Sequence, residues 1–292
     1  MRVTESMMYD TANSSLANDL TALQSITEKV SSGKQLNRPS DNPADVQSAV
    51  GLNDTLAQLN QYVRNIDSAT SKVSAMDTAL SGAGDLVQRA SELAIQGANA
   101  TLDASDRQSI LAEVSQLTEA LAQSANAQVG DEYIFSGFRV DRPPYQVTGP
   151  GQVGAYQGDH GVSTARIGPA ATMQVSLAGD TVFQPAISAL TQLQADLASG
   201  QPVQQSTIGQ ISTALQTVVQ AQATVGAREN RLTDAKTSQQ AIITSNQALL
   251  NQLQDTDMPS AITELTQRQT TYQATLAVTA KVMQTSLMDY LK

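Results

Sequence analysis

Few residues in this chain belong to the types that carry chemistry, and their spacing decides what each can do. The single His, His160, lies in Gly158-Asp-His-Gly161 with Asp159 beside it. A His next to a carboxylate can begin a general base or a metal site, but either needs further partners. With no second His and no Cys in 292 residues, two-His zinc centres and His relays lose their other members. Thiolate metal sites, thiol nucleophiles and disulfides are excluded outright. His160 therefore reads as a solvent-facing turn residue. Gly149-Pro-Gly-Gln-Val-Gly154 matches the dinucleotide-binding fingerprint letter for letter. That fingerprint works only between a strand and a helix N-terminus aimed at a pyrophosphate. Pro150 stands inside it and Ala-Tyr-Gln-Gly follows, so the stretch reads as a turn in a β-rich module. Asp255-Thr-Asp257 offers two carboxylates without a cage, and reads as the cap of a helix after Pro259. Gly33-Lys34 lacks the upstream Gly and the following Ser or Thr of a phosphate loop. The Asn-X-Ser/Thr triplets at Asn13, Asn53 and Asn99 fall in helix-like segments. No catalytic, cofactor-binding or metal constellation emerges, and no enzyme is expected.

Charge narrows the partners. The 17 basic residues stand against 27 acidic ones, a formal net charge of −10. Nonspecific nucleic-acid affinity rests on clustered Lys and Arg, so no nucleic-acid partner is expected. No run approaches the roughly eighteen apolar residues of a membrane span, so no membrane partner is expected either. The start, Met-Arg-Val-Thr-Glu-Ser-Met-Met, has no apolar core and no small-residue cleavage site. Taken alone, these features describe a soluble cytoplasmic protein.

The elements that must position such residues show in the composition. Residues from about 130 to 185 hold nine of the 17 Gly, five of the nine Pro, all three Phe and the His. Short strands are expected at 145–148, 153–157, 162–167 and 173–177, separated by Gly and Pro turns. The flanks are rich in Ala, Gln, Ser, Thr and Leu, the makeup of long polar-faced helices. The expected fold is mainly α with a β insert: a long antiparallel helical bundle, coiled-coil terminal helices and a small outer β domain. Its bounds read as terminal helices at 1–40 and 256–292, a bundle from 41–135 and 185–255, and the β-rich domain at 136–184.

Apolar spacing of three and four supports the helices. Leu52, Leu56, Leu59, Val63, Ile66, Val73 and Leu80 set one stripe, which Gly82 and Gly84 are expected to weaken or shift. A helix capped by Ser105 and Gln108 should carry Ile110, Val114, Leu117 and Leu121. A shorter one should begin with Pro185 in its first turn and stop at Gly200. Ile208, Ile211, Leu215, Val218, Val225, Leu232, Ile243, Leu250 and Leu253 describe a helix of nearly fifty residues. Its register also puts Gln222, Glu229, Lys236, Gln239 and Asn246 at seam positions. At the ends, Leu16, Leu20, Leu23 and Val30 form one stripe. Ile262, Leu265, Tyr272, Leu276, Met283, Leu287 and Leu291 form the other. Large apolar side chains contribute about 1.5–3 kcal/mol each only when fully buried. Two terminal helices paired only with each other leave that burial incomplete, so neighbouring copies are expected to finish it.

The strongest local signal is Ser31-Ser-Gly-Lys-Gln-Leu-Asn-Arg-Pro-Ser-Asp-Asn-Pro-Ala44. Physically it ends a helix at Gly33, crosses, and begins another at Ser40 or Asp41 with Pro43 in the first turn. It resembles the N-terminal signature of the flagellin family, carried here by Ser32, Gly33, Asp41, Pro43 and Ala44. The Pro-Ser-Asp-Asn-Pro variant is closer to the hook–filament junction branch of that family than to its filament subunits. Gly130-Asp-Glu-Tyr-Ile-Phe-Ser-Gly137, Val225-Gly-Ala-Arg-Glu-Asn-Arg231 and Ser286-Leu-Met-Asp-Tyr-Leu291 agree with it.

The resemblance implies a structural adaptor assembled through its terminal coiled coil into a homo-oligomeric ring. Its implied partners are hook-associated protein 1, flagellin or the next hook-associated protein, and a cytoplasmic flagellar export chaperone. It implies type III export without a cleaved signal peptide and an extracellular place in the bacterial flagellum. A short flagellin and a cytoplasmic helical scaffold are the alternatives.

Overall fold

The computed structural model describes residues 5–290, with side chains described from residue 7 to residue 281. The chain is mainly helical. In order run α1 (Glu5–Ser32), α2 (Pro43–Gly97), α3 (Ala104–Ala125), three short hairpins, α4 (Gly179–Ala198), α5 (Gln205–Gln254) and α6 (Met258–Tyr290). The hairpins pair β1 (Gln128–Val129) with β2 (Glu132–Tyr133), β3 (Val147–Gly149) with β4 (Gln152–Val153), and β5 (Thr164–Arg166) with β6 (Thr172–Gln174). All three pairs are antiparallel. Residues 59–242 form one compact unit; those up to 58, with those from 243 onward, form the other.

The core of the 59–242 unit grows from one face of α2. Ile66, Ala69, Val73, Met76, Leu80, Ala83, Val87 and Ala90 recur at steps of three and four and are all buried. The stripe does not shift at Gly82 and Gly84, because the seam position between them is Ala83, which is fully buried. Two helical glycines cost about 1 kcal/mol each relative to Ala, too little to break a helix held along its length by packing. From α5, Ile211, Ala214, Val218, Val225 and Leu232 fill the same core. Two polar seam positions further along α5 have partners: Lys236 Nζ lies 2.8 Å from Asp67 Oδ1, and Gln239 Nε2 donates to the Ile167 carbonyl at 3.3 Å.

Two helix starts differ from the sequence expectation. Asp103 caps α3, its Oδ1 accepting from the Asp106 N–H at 2.8 Å, so Ser105 and Gln108 form no capping box. Helix α4 begins at Gly179, leaving Pro185 inside the helix rather than in its first turn. Val182 and Phe183 are buried, and the Phe183 ring meets Phe135 edge-on at 4.9 Å. Burying those two side chains draws extra helix out ahead of the proline, offsetting the backbone bond it cannot make.

The hairpins are held by side chains reaching backbone groups. Asn126 pairs with Tyr145 both ways: its Nδ2 donates to the carbonyl at 2.7 Å, and its Oδ1 accepts from the N–H at 2.9 Å. The Tyr145 ring is buried, which pushes its hydroxyl pKa up; the Asp180 carboxylate nearby acts in the same direction. Arg228 donates to the Ser176 carbonyl at 3.1 Å.

Asp196, on the last turn of α4, is the buried carboxylate that ties α4 to the start of α5. It accepts from Thr207 Oγ1 at 2.6 Å, Gln192 Nε2 at 2.9 Å and the Gln204 N–H at 3.3 Å. Burial raises its pKa, but the hydrogen bonds from Thr207, Gln192 and Gln204 outweigh burial and hold the carboxyl below the usual value. A depressed native pKa contributes stability above the unfolded value near pH 4, lost as pH falls through the native one. Asp196→Asn is therefore expected to lower stability at pH 7 by about 1–3 kcal/mol and to flatten the fall between pH 5 and 2. Chemical unfolding followed by circular dichroism across that range checks both.

Candidate functional site

The site is built by the unit that joins the chain ends, and its geometry starts at two chain reversals. Helix α1 ends in a left-handed Gly33, with φ of 70°, whose N–H donates to the Lys29 carbonyl at 2.9 Å. Only a residue without Cβ takes that conformation at no steric cost. The other reversal, residues 255–257, separates α5 from α6. A short backbone ladder stitches the two together: Thr256 N–H donates to Gly33 O at 2.9 Å, and Gln35 N–H to Gln254 O at 2.7 Å. Lys34 and Asp255 face each other there as an antiparallel bridge. Gln35 Nε2 adds a bond to the Leu253 carbonyl at 2.9 Å. Joined so, α1 and α6 must run side by side and antiparallel.

The signature residues build the crossing. Ser32 Oγ accepts from the Lys34 N–H at 3.1 Å. Asp41 Oδ2 accepts from the N–H groups of Arg38 at 2.8 Å and Asn37 at 3.0 Å, which hold its carboxyl below the usual value. Arg38 also pairs with Glu28 at 2.8 Å. The cap of α2 is neither Ser40 nor Asp41 but Asn42, whose Oδ1 accepts from Ala44 N–H at 3.2 Å. Asp41 is occupied with the turn before the helix and has no oxygen aimed at its first N–H groups. Pro43 opens α2, where its missing N–H leaves nothing unpaired. The first turns of α2 and the last of α5 close over a small cluster of Ala49, Leu56 and Leu250, with Leu52 and Ile243 against it.

The stripes of α1 and α6 divide into two sets. Ile26 and Ala261 are buried, and Leu16, Leu23, Val30, Leu265 and Tyr272 are half-buried. Leu20 remains 40% exposed, Ile262 50% and Leu276 41%. Val278, Met7, Met8 and Tyr9 are exposed as well. Met283, Leu287 and Leu291 lie outside the residues whose side chains are described. Ile26 and Ala261 were absent from the sequence reading, although Ile26 keeps the step of three from Leu23.

The residues read for chemistry sit elsewhere and do not converge. His160 Nε2 lies 3.0 Å from Asp180 Oδ2, on an exposed side chain. Gly149–Gly154 is the β3–β4 turn; its Gly151 N–H donates to Glu119 Oε1 at 2.8 Å, and no helix follows. Asp255 belongs to the bridge, and Asp257 opens α6 by accepting from Ala261 N–H at 2.9 Å through its carbonyl. Among the described residues, no group of three or more His, Asp or Glu is placed to hold a metal ion.

The sequence of the chain matches known family models. The model of the bacterial flagellin N-terminal helical region matches residues 3–139, and that of the C-terminal helical region matches residues 208–291. The chain belongs to the flagellin family. The flagellar hook-associated protein 3 of Salmonella typhimurium is 30% identical over 184 residues, 63% of this chain and 57% of that protein. The chain thus matches little more than half the length of this relative. A flagellar filament 30.7 kDa core protein of Treponema maltophilum is 28% identical over 280 residues, 94% of this chain and 93% of that one. The crystal structure of the flagellar junction protein FlgL from Legionella pneumophila shares the fold, with a TM-score of 0.58 at 16% identity. That likeness covers 71% of this chain and 99% of the other.

Within this family member, Gly33 is the residue on which the crossing turns. A Cβ there meets nothing within 4 Å, so its replacement tests backbone conformation alone. Gly33→Ala is expected to cost about 1–2 kcal/mol, and Gly33→Asn less, since Asn tolerates the left-handed region. Limited proteolysis, scored separately at the ends and in the 59–242 unit, should show faster cleavage of the ends only.

Proposed function

We propose that the chain is a structural adaptor that forms the junction between flagellar hook and filament. The observation that carries this reading is the unspent apolar face of the terminal pair. After α1 and α6 have packed against each other, Leu20, Ile262 and Leu276 are still 40–50% exposed. A face of that kind, repeated along two long helices, suits lateral packing against copies of itself. The name of the Salmonella relative and the fold of the Legionella junction protein support the same reading. The copies form a ring. Hook-associated protein 1 lies on one side of it, and flagellin or the next hook-associated protein on the other. The interface runs through Leu16, Leu20, Leu23, Val30, Ile262, Leu265, Tyr272, Leu276, Met283, Leu287 and Leu291. The work is mechanical: two tubes are joined and no bond is made or broken. An export chaperone shields the ends in the cytoplasm, and the chain leaves through the flagellar type III channel to an extracellular site.

A filament subunit is the second reading, favoured by the near full-length match to the Treponema core protein. Copy number separates the two, since a filament subunit dominates sheared filaments and a junction protein is a minor band. Leu20→Asp combined with Leu276→Asp changes outward residues and leaves the seam between α1 and α6 alone. Motility of a strain lacking the native gene should not be restored by this variant, while its helix content in solution matches the parent. Restored motility with attached filaments contradicts the proposal.

A further inference from the structure

Strand β5 has a free edge. Val175 N–H donates to the Ser163 carbonyl, and Ile167 N–H to the Ala171 carbonyl, both at 2.9 Å. Bonds of an antiparallel pair alternate along each strand, so the main-chain groups of Thr164 and Arg166 point away from β6. They face α2, where Asn65 Nδ2 donates to the Arg166 carbonyl at 2.9 Å. Among the described residues, no group bonds the N–H or carbonyl of Thr164 or the N–H of Arg166. Between this edge and α2 lies an open groove of about 310 Å³. Asn65, Ser68 and Lys72 line it from α2, and Ser163, Thr164 and Arg166 from the hairpin. Proteins usually cover or charge a strand edge, because it pairs readily. An edge left open beside a helix is a setting in which an extended peptide adds to a sheet. Its groups recur at every second residue, about 7 Å apart, the spacing of another strand.

Charge says what that strand carries. The chain has a net charge of −10, yet both charged residues lining the groove are cations. Lys72 is paired with Glu132 at 2.6 Å. The Arg166 guanidinium instead donates to the carbonyls of Gly168 at 3.3 Å and Pro169 at 2.6 Å, and lies 5.8 Å from the centre of the Tyr62 ring. Its charge is thus met by dipoles and a ring, not by a carboxylate. Cross-strand neighbours share a face, so a carboxylate placed opposite Arg166 lies beside that charge. We propose that the groove takes an extended, acidic segment of another protein, which joins β5 as a third strand. A second copy of this chain is a poor source. Outside its described helices, two carboxylates stand within three residues only at Asp131-Glu132 and Asp255-Thr-Asp257. Glu132 is held by Lys72, and 255–257 is the reversal before α6. The groove belongs to the 59–242 unit and does not depend on the junction reading.

Random peptides displayed on phage and selected on the full-length protein are the probe. The selected sequences should alternate β-branched residues with Asp or Glu. Ser68 is exposed on α2, so Ser68→Trp fills the groove without entering the core, and should bind them about tenfold more weakly. Arg166→Gln should weaken an acidic peptide more than the same peptide with its Asp and Glu changed to Asn and Gln. A bound peptide should also slow hydrogen exchange at the N–H groups of Thr164 and Arg166 in the unsubstituted protein, a readout that needs no variant to fold. The proposal is overturned if no peptide is selected, if the selected ones show no acidic preference, or if Ser68→Trp binds them like the parent. Unchanged exchange at β5 overturns it as well. A selected sequence that reproduces a stretch of this chain assigns the groove to a second copy, and overturns the choice of another protein.

Discussion

Four residues of backbone contact, between 33–35 and 254–256, decide how the two ends of this chain meet. Among the described residues, the paired bonds Thr256 N–H to Gly33 O and Gln35 N–H to Gln254 O are the only ladder that unites segments more than two hundred residues apart. Each helix that leaves the ladder is already aimed, so α1 and α6 need no further instruction to lie side by side. Everything around the ladder serves to hold it. Gly33 supplies a conformation that other residues adopt at a cost, Asp41 gathers the N–H groups of Asn37 and Arg38 in the turn before it, and Asn42 starts α2 without competing for them. The signature stretch is therefore a device for joining, and its residues are explained by backbone geometry with no ligand required.

The two units draw on different packing resources. All three Phe lie between 59 and 242, and Phe135, Phe183 and Tyr145 are among the largest fully buried side chains of the protein. Aromatic rings bury much area and lock in few orientations. Asp196 and Asn126 add hydrogen bonds that work only in one arrangement of helix and hairpin. Among the described residues, the terminal pair has no fully buried aromatic ring. Its seam mixes Leu, Ile, Val and Ala with Thr and one Asp, and much of its apolar surface remains exposed. The uneven distribution gives a firm middle and ends that gain from added contacts, as local stability in proteins commonly divides.

Much of this was legible in the residues. Period-three-and-four spacing marked the helices, the Gly and Pro clusters marked the second and third hairpins but not the first at 128–133, and Gly33 marked the end of α1. Capping was less legible, because an N-cap depends on which oxygen reaches the first N–H groups. In Ser40-Asp-Asn42 three candidate caps stand together, and the winner is set by Asp41 being engaged elsewhere. The start of α4 was hidden for a different reason. Pro185 is a common first-turn residue, but the burial of Val182 and Phe183 extends the helix ahead of it. Spacing also could not divide the terminal stripes. It names apolar residues, whereas a partner helix covers only part of a face, so Leu23 turns in while Leu20 stays out.

The register of α5 marked its polar seam residues in the sequence, whereas Asp19 of α1 escaped the apolar pattern. In α5, Lys236 and Gln239 interrupt a stripe that is otherwise aliphatic, and each finds a single partner, Asp67 or the Ile167 carbonyl. In α1, Asp19 does the same with Thr275. Long helices with repeating apolar faces face a shared difficulty: the same repeat that gives affinity permits misalignment. A polar pair at a seam position gives up some burial and is satisfied in one arrangement only. Apolar residues thus account for most of the burial along these seams, while the few polar ones tie particular positions together.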